Sequence, residues 1–328
     1  MKNYDVVIVG GGFAGLSAAL LLGRSRRRVL VSDTGKTRNA VAQESHGFFT
    51  RDGTTPAELV RIGREQLRPY ETVELCSVGV KAAKAHSKGF EITLDDETRI
   101  ACRKLLLATG VVDEMPEIEG FKELWGKSIF HCPYCHGWEV RDQPLALFGG
   151  IELAELLKGW SDDLVLCTDG ATLSEDESRL LLKNNIAIRE ERIVRVEGKN
   201  GQLENIVFAN GETLARKAIF IRPKQHQHSV LAKQLGCEFT DFGTVKVDDF
   251  GQTSVPGVYA GGDMIHPLQH ISFAVSRGSL AAVGMDRALR REDFRSGHGS
   301  ITEIEGSRHE GEYARRVLVD GDHVRPLA

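Results

Sequence analysis

A glycine loop near the N-terminus limits what this chain can fold into. Residues 4–9 are rich in β-branched side chains and predict a strand, and residues 14–24 are apolar and predict a helix. Between them lie Gly10, Gly12 and Gly15. In this spacing the first glycine permits a tight turn, the second lets the backbone approach a pyrophosphate, and the third lets helix and strand pack closely. The pattern predicts an α/β fold that begins with a dinucleotide-binding βαβ unit.

An acidic residue completes this unit. Residues 28–32 predict the second strand, and Asp33 follows it directly, where a carboxylate can accept hydrogen bonds from a ribose. The N-terminus of the intervening helix directs unpaired N–H groups towards the phosphates, and Ala14 lies within that turn. A glycine turn can also be purely structural, but a strand, a helix and an acid in register favour nucleotide binding.

Cys132 and Cys135 are the only closely spaced pair among six cysteines. Side chains three residues apart on a helix have Cβ atoms about 5–6 Å apart, so a modest tightening allows a disulfide. Pro133 suits the first position of a helix, which would place Cys132 at the helix N-terminus, where the thiolate is favoured. A reversible disulfide and a dinucleotide site in one chain predict a flavin oxidoreductase that exchanges electrons with thiols.

Two histidines flank the cysteine pair. His136 follows Cys135, and because an imidazole titrates near neutral pH, it is predicted to move the proton of each dithiol–disulfide cycle. An ordinary surface histidine is the alternative for His136 and the favoured interpretation of His131. The two histidines and two cysteines make poor tetrahedral geometry, and no second CxxC occurs, so no metal site is predicted. The other four cysteines are predicted to be reduced and buried: Cys76, Cys102, Cys167 and Cys237.

A second α/β segment follows in the middle of the chain. It is predicted to contain a strand near residues 144–150, a helix over 152–160 and another strand over 163–167. An alanine-rich helix is predicted near residues 271–289. From residue 295 onwards the chain is polar and rich in glycine, which predicts a tail rather than a third domain.

Composition excludes several functional classes. With 42 basic and 46 acidic residues the chain has a net charge of −4, so no global field favours nucleic acid or an anionic membrane. Residues 6–23 carry no charge, yet glycines interrupt this run, which fits a strand, a turn and a helix better than a membrane span or an export signal. A cytoplasmic protein is therefore predicted. The basic run at residues 24–28 is expected to be a solvated helix end.

Over residues 3–295 the chain resembles the low-molecular-weight thioredoxin reductase family. The resemblance rests on the glycine loop, the strand end Ala108-Thr109-Gly110, the CxxC between the two α/β segments, and Gly261-Gly262-Asp263 before the last helix. It implies two Rossmann-like dinucleotide-binding domains and a homodimer. The implied domain limits are residues 1–115 and 246–295 for a discontinuous FAD domain, 116–245 for an inserted NADPH-like domain, and 296–328 for the tail.

The resemblance also assigns roles to individual residues. Cys135 would face the flavin, and Cys132 would attack the sulfur of the partner. Asp263 would bind the ribityl or phosphate region of FAD. Gln269 would lie near the flavin ring, although Leu268 replaces the arginine that usually precedes it. The remaining positions implied to contact FAD are Thr109, Gly110, Gly262, His270 and Ile271.

The chain departs from the family at two places. Thioredoxin reductases commonly have an acid after the second cysteine, whereas residues 132–139 (CPYCHGWE) are more similar to the dithiol oxidases that close disulfides in gliotoxin and holomycin. The second nucleotide loop has Ile151 and Glu152 after Gly149-Gly150, so a branched side chain and an acid stand where the backbone should meet a pyrophosphate. Residues 168–170 (TDG) lack the arginine that would bind a 2′-phosphate. NADPH binding is therefore expected to be weak or absent.

The leading hypothesis is a FAD-dependent dithiol/disulfide oxidoreductase without NADPH, acting on a small dithiol or a thioredoxin-like protein. Electrons would pass through Cys132 and Cys135 to FAD and then to oxygen or another acceptor. A resemblance to diflavin-linked disulfide oxidoreductases allows a second FAD in the nicotinamide region. The alternatives are an NADPH-dependent thioredoxin reductase and, from a different class, a non-catalytic flavin and disulfide redox sensor, which would cycle once without sustained consumption of dithiol.

Overall fold

The computed structural model describes residues 1–297. Met1–Leu289 form one compact unit, and Arg290–Ala328 form a second. Except for its first two residues, the tail predicted over residues 296–328 lies outside the described residues. Each helix within residues 1–297 is too short or too polar to span a bilayer.

Strands and helices alternate along most of the described chain. The strands of the first part are β1 (Lys2–Val9), β2 (Val29–Ser32), β3 (Val73–Cys76), β4 (Val80–His86), β5 (Gly89–Leu94), β6 (Arg99–Leu107) and β7 (Val111–Glu114). The later strands are β8 (Ile129–Phe130), β9 (Leu145–Phe148), β10 (Leu164–Cys167), β11 (Ile186–Arg189), β12 (Ile193–Lys199), β13 (Gln202–Phe208), β14 (Thr213–Ala215), β15 (Ala218–Ile221), β16 (Lys224–Gln227) and β17 (Val258–Ala260). The helices are α1 (Phe13–Arg24), α2 (Pro56–Glu65), α3 (Phe121–Leu124), α4 (Pro133–His136), α5 (Ile151–Leu157), α6 (Glu175–Lys183), α7 (Leu231–Gln234) and α8 (Ile271–Ser296), with short 3-10 helices at Arg38–Val41 and Gly262–Ile265.

The first sheet contains the predicted βαβ unit. Its order is β3-β2-β1-β6-β5-β4, with β17 paired to β6. Strands β1, β2, β3, β6 and β17 run parallel, while β4 and β5 form an antiparallel edge. Val6, Val7 and Ile8 on β1 are completely buried, as expected for a central strand of a parallel sheet covered on both faces.

The second sheet has the order β11-β10-β9-β15-β8, and all of its strands are parallel. The predicted α/β class with two Rossmann-like sheets is therefore confirmed. Strands β12, β13 and β14 form a separate antiparallel sheet, and β7 pairs with β16 in a two-stranded ribbon. The chain enters the second sheet after β7 and leaves it before β17. The domain limits given above stay predictions.

Several local expectations are wrong. Arg27 is not a solvated helix end: the chain turns at Arg26, where φ is +63°, and the Arg27 side chain is buried. Its Nε lies 2.7 Å from Oδ1 of Asp286 on α8, which compensates the buried charge. Helix α5 ends at Leu157 and not at residue 160. Cys76 at the end of β3 is only partly buried, because β3 is the outermost strand of its sheet.

Candidate active site

A cavity of about 810 Å³ begins at the carboxyl ends of the parallel strands of the first sheet and reaches the cysteine pair. Ligand cavities usually measure about 300–1,000 Å³, so this one has room for a large ligand. Most residues predicted from the sequence line it: Gly10, Gly12, Ala14, Asp33, Thr109, Gly110, Cys135, His136, Gly262, Asp263, Gln269, His270 and Ile271. Gly15 and Cys132 are not among the lining residues.

The glycine loop has the geometry that its spacing predicts. Gly10 has a φ of +106°, and a Cβ on it would lie 2.3 Å from the carbonyl oxygen of Ala108. A Cβ on Gly15 would lie 1.9 Å from the carbonyl oxygen of Gly10, so α1 could not pack against β1 with any larger residue there. A Cβ on Gly12 would have no atom of residues 1–297 within 4 Å. The Gly12 backbone therefore faces the open cavity, where a phosphate can approach it.

Polar groups of the cavity are available to a dinucleotide. The hydroxyl of Ser45 is buried in the cavity wall and has no hydrogen-bond partner within residues 1–297. Asp33 lies at the end of β2, and its Oδ2 accepts a hydrogen bond of 2.5 Å from Nη2 of Arg64. Its Oδ1 has no hydrogen-bond partner in the described part of the chain. An open glycine turn, an unpaired buried hydroxyl and a carboxylate at the strand end fit FAD.

The sequence gave no sign of the charged centre of this cavity, Arg38. Its guanidinium pairs with both carboxylate oxygens of Asp113, at 2.7 Å and 2.6 Å, and its Nη1 lies 3.2 Å from Oδ2 of Asp263. Nη1 also donates to Oε1 of Gln269 at 2.5 Å. Burial raises the pKa of Asp263, and Arg38 partly offsets this effect. Because these partners are 75 and 225 residues away from Arg38, no local pattern could have revealed the network.

Cys132 and Cys135 form a disulfide, with their Cα atoms 5.3 Å apart. Cys132 is the N-cap of α4 and Pro133 its first residue, as predicted. Since α4 has only one turn, its dipole gives Cys132 less help than a long helix would. Cys135 lines the cavity and Cys132 does not, so the two sulfur atoms have different access to a ligand bound there.

The histidines beside the pair are neutral at pH 7. The ring of His136 stacks on Phe130 with 4.3 Å between centroids, and its ring nitrogens have no hydrogen-bond partner within residues 1–297. Burial, with a smaller contribution from His46, lowers the pKa of His136 to about 4. Burial and the charge of Arg38 lower the pKa of His131 to about 4 as well. Neutral His136 can therefore accept a proton.

These imidazoles predict a loss of stability in acid. The unfolded chain protonates each near pH 6.5, whereas the folded chain does so only near pH 4. The folded state thus binds fewer protons between these values, and stability falls by up to about 1.4 kcal/mol per pH unit and imidazole as the pH drops. Urea unfolding followed by fluorescence at several pH values measures this slope. We expect a shallower slope for His136→Phe but not for His86→Asn, an exposed control; equal slopes for all three would contradict the assignment.

The other thiols are poor nucleophiles. Burial raises the pKa of Cys102 and of Cys167 to about 12, and it also raises the pKa of Cys237. These three are buried as predicted, which leaves Cys132 and Cys135 as the pair suited to thiol chemistry. Within the described chain no group of three or more His, Cys, Asp or Glu side chains is arranged to hold a metal ion.

The second nucleotide loop carries negative charge. Oε2 of Glu152 lies 2.7 Å from the point that a Cβ on Gly150 would occupy, so the carboxylate covers the turn where a pyrophosphate would bind. After β10, Asp169 accepts a hydrogen bond of 2.7 Å from the backbone N–H of Ile193. Both acids oppose the binding of phosphate groups. The expectation of weak NADPH binding stays a prediction, and the geometry is compatible with it.

Comparisons with known proteins agree with this architecture. A family model described as pyridine nucleotide-disulphide oxidoreductase matches residues 4–278, which include the cysteine pair and strands of both sheets. Thioredoxin reductase sirT of Leptosphaeria maculans is 32% identical over 305 residues, covering 86% of this chain and 93% of that protein. The structure of TrxB from Bacillus anthracis is similar with a TM-score of 0.85 and 36% identity, covering 89% of this chain and 100% of that chain. The structure of HlmI is similar with a TM-score of 0.86 and 36% identity, covering 90% of this chain and 95% of that chain.

Proposed function

The chain belongs to the pyridine nucleotide-disulphide oxidoreductase family and is a FAD-dependent disulfide oxidoreductase like the thioredoxin reductases, and from this premise we propose that it oxidises dithiols without NADPH. The observation that carries the proposal is the contrast between the two ends of the molecule's redox path. The cysteine pair adjoins a cavity suited to FAD, whereas Glu152 covers the turn where NADPH would place its pyrophosphate.

The proposed exchange takes place at the disulfide. A substrate thiolate attacks Sγ of Cys132, the bond to Cys135 breaks, and the electron pair of that bond stays on Cys135 as a thiolate. The second substrate thiol then attacks the mixed disulfide and releases Cys132, so the substrate leaves as a disulfide and the cysteine pair is reduced. Bound FAD supplies a two-electron acceptor beside Cys135. The location of Cys135 on the cavity wall supports this order of roles.

His136 is proposed to move the proton in this exchange. It follows Cys135 in α4, its ring is neutral at pH 7, and stacking on Phe130 holds the plane of the ring. A neutral imidazole with no hydrogen-bond partner within residues 1–297 can take the proton of a substrate thiol and return it to a cysteine thiolate.

Exposed aromatic side chains offer the substrate a contact surface beside Cys132. The side chains of Tyr134 and Trp138 are 64% and 65% exposed, and the Arg141 guanidinium lies 3.9 Å above the Trp138 ring. Trp160 meets Tyr134 edge to face, with 5.5 Å between centroids. Since large aromatic side chains are seldom left in solvent without a binding role when they cluster, we propose a small dithiol with an apolar body as the substrate. A thioredoxin-like protein is the second candidate.

An anaerobic titration of the flavin absorbance separates the proposal from an NADPH-dependent thioredoxin reductase. We expect dithiothreitol to bleach the flavin and equimolar NADPH to leave it oxidised, because the acids of the second loop repel phosphate groups. Rapid stoichiometric bleaching by NADPH would contradict the proposal. Repeated turnover of dithiothreitol in air would also exclude a redox sensor, which would stop after one cycle.

The same sample tests the other parts of the proposal that follow from the resemblance. Flavin released by denaturation and counted per chain distinguishes one FAD from two, the second of which would occupy the nicotinamide region. Sedimentation equilibrium of the flavin-loaded protein tests the proposed homodimer. Neither result alters the roles proposed for the cysteine pair.

A further inference from the structure

A cluster of titratable side chains connects the cysteine pair to solvent. His46, in the loop before α2, lines the cavity, and its ring meets that of His136 edge to face with centroids 6.5 Å apart. Three carboxylates surround the other sides of the ring. Nε2 lies 3.4 Å from Oε2 of Glu44 and 3.5 Å from Oε1 of Glu139, and Nδ1 lies 3.7 Å from Oδ2 of Asp52.

Exposure rises along this cluster from the cavity outwards. The side chain of His46 is 17% exposed, that of Glu139 36%, that of Glu44 58% and that of Asp52 71%. The cluster also brings together two distant parts of the chain, since Glu139 follows α4 whereas Glu44 and Asp52 belong to the His46 loop. It is thus a continuous series of proton-binding groups between the redox pair and bulk water.

The loop that carries His46 is tied to the start of α8. Nε2 of His270 donates a hydrogen bond of 3.1 Å to the carbonyl oxygen of His46. The hydroxyl of Ser272 donates one of 3.2 Å to the carbonyl oxygen of Gly47. The groups that face His46 are therefore Glu44 and Asp52 from its own loop, Glu139 and His136 from the redox segment, and His270 from the segment before α8. These contacts hold the imidazole at one place between the cavity and the carboxylates.

We propose that His46 is a proton-relay residue that takes the proton removed by His136 and passes it through the neighbouring carboxylates to solvent. The inference rests on the proposed function. In the first exchange the substrate thiol loses one proton, its sulfur bonds to Cys132, and Cys135 becomes a thiolate. The proton count balances if that proton goes to Cys135 or leaves for solvent, and His46 provides the second route. His46 acts through His136 and does not touch the sulfur atoms.

The test compares the flavin-loaded wild type with His46→Gln in anaerobic stopped-flow reduction by dithiothreitol. The ratio of the two rates is informative because the ionisation of dithiothreitol itself cancels from it. We expect the variant to be about tenfold slower near pH 6.5 and to approach the wild type near pH 9, where the reagent is largely thiolate and needs no base. Imidazole added to the buffer should restore part of the rate near pH 6.5.

Controls separate a relay from a structural role. His86→Gln, at an exposed site on β4, should match the wild type at every pH. A slowing of His46→Gln by the same factor across the pH range, or a rate equal to that of the wild type throughout, would overturn the relay. If the variant fails to bind FAD, rates of the wild type in mixtures of H₂O and D₂O decide the matter: a linear dependence on deuterium fraction would overturn a relay of several protons. If dithiothreitol does not reduce even the wild type, the proposed function fails instead.

Discussion

Replacement of either Cys132 or Cys135 by serine is expected to slow the reduction of bound flavin by dithiothreitol at least about a thousandfold, because a single thiol cannot form the reactive disulfide. Flavin should stay bound in both variants, since neither sulfur is needed by the glycine loop or by the Arg38 network. Anaerobic stopped-flow at 450 nm, about the flavin maximum, measures the rate, and the flavin-to-protein absorbance ratio measures occupancy.

The two variants should differ in what they trap. With Cys135→Ser, the thiol of Cys132 is accessible to substrate and should accumulate a mixed disulfide that intact-mass spectrometry detects. With Cys132→Ser, the remaining Cys135 lines the cavity and should trap much less. Cys76→Ser, at a partly buried cysteine on β3, is the matched control and should behave like the wild type. Equal trapping by both active-site variants would contradict the assigned roles, and loss of flavin from either would place the pair in cofactor binding.

Two substitutions in the glycine loop should have opposite effects on folding and on FAD binding. Gly12→Ala adds a methyl group that meets no atom of residues 1–297 within 4 Å and points into the cavity. The Gly12 φ of −77° also suits alanine, so we expect a change in stability below about 1 kcal/mol. The same methyl group would occupy the approach of a pyrophosphate, and FAD affinity should fall about 100-fold or more, or about 2.7 kcal/mol.

Gly15→Ala should instead damage the fold. Its Cβ would lie 1.9 Å from the carbonyl oxygen of Gly10, so α1 would have to move away from β1, at an expected cost of about 3 kcal/mol or more. Urea unfolding of flavin-free protein and flavin titration measure the two effects separately. Gly159→Ala, whose Cβ would have only an ordinary contact of 3.4 Å, is the matched control. Retained FAD affinity in Gly12→Ala would show that the phosphate approach lies elsewhere.

The local elements of the site could be predicted because their information is local. The spacing of Gly10, Gly12 and Gly15 determines a turn whose backbone geometry follows from neighbouring residues, and Pro133 restricts the start of α4 in the same way. The charged run around Arg27 shows the limit of this reasoning. Its position in the sequence indicated solvent, but α8 places Asp286 against it across 259 residues.

The sequence by itself determined a parallel α/β fold, a nucleotide turn and a redox pair, since periodicity, glycine spacing and a four-residue CxxC act within one or two turns of chain. Only the tertiary structure decided which charges meet. It brought Arg38 to Asp113 and Asp263, and it placed His46 between His136 and Glu139. The physical reason is that buried charges and proton paths depend on contacts between residues distant in sequence, and those contacts exist only after both sheets have formed and packed.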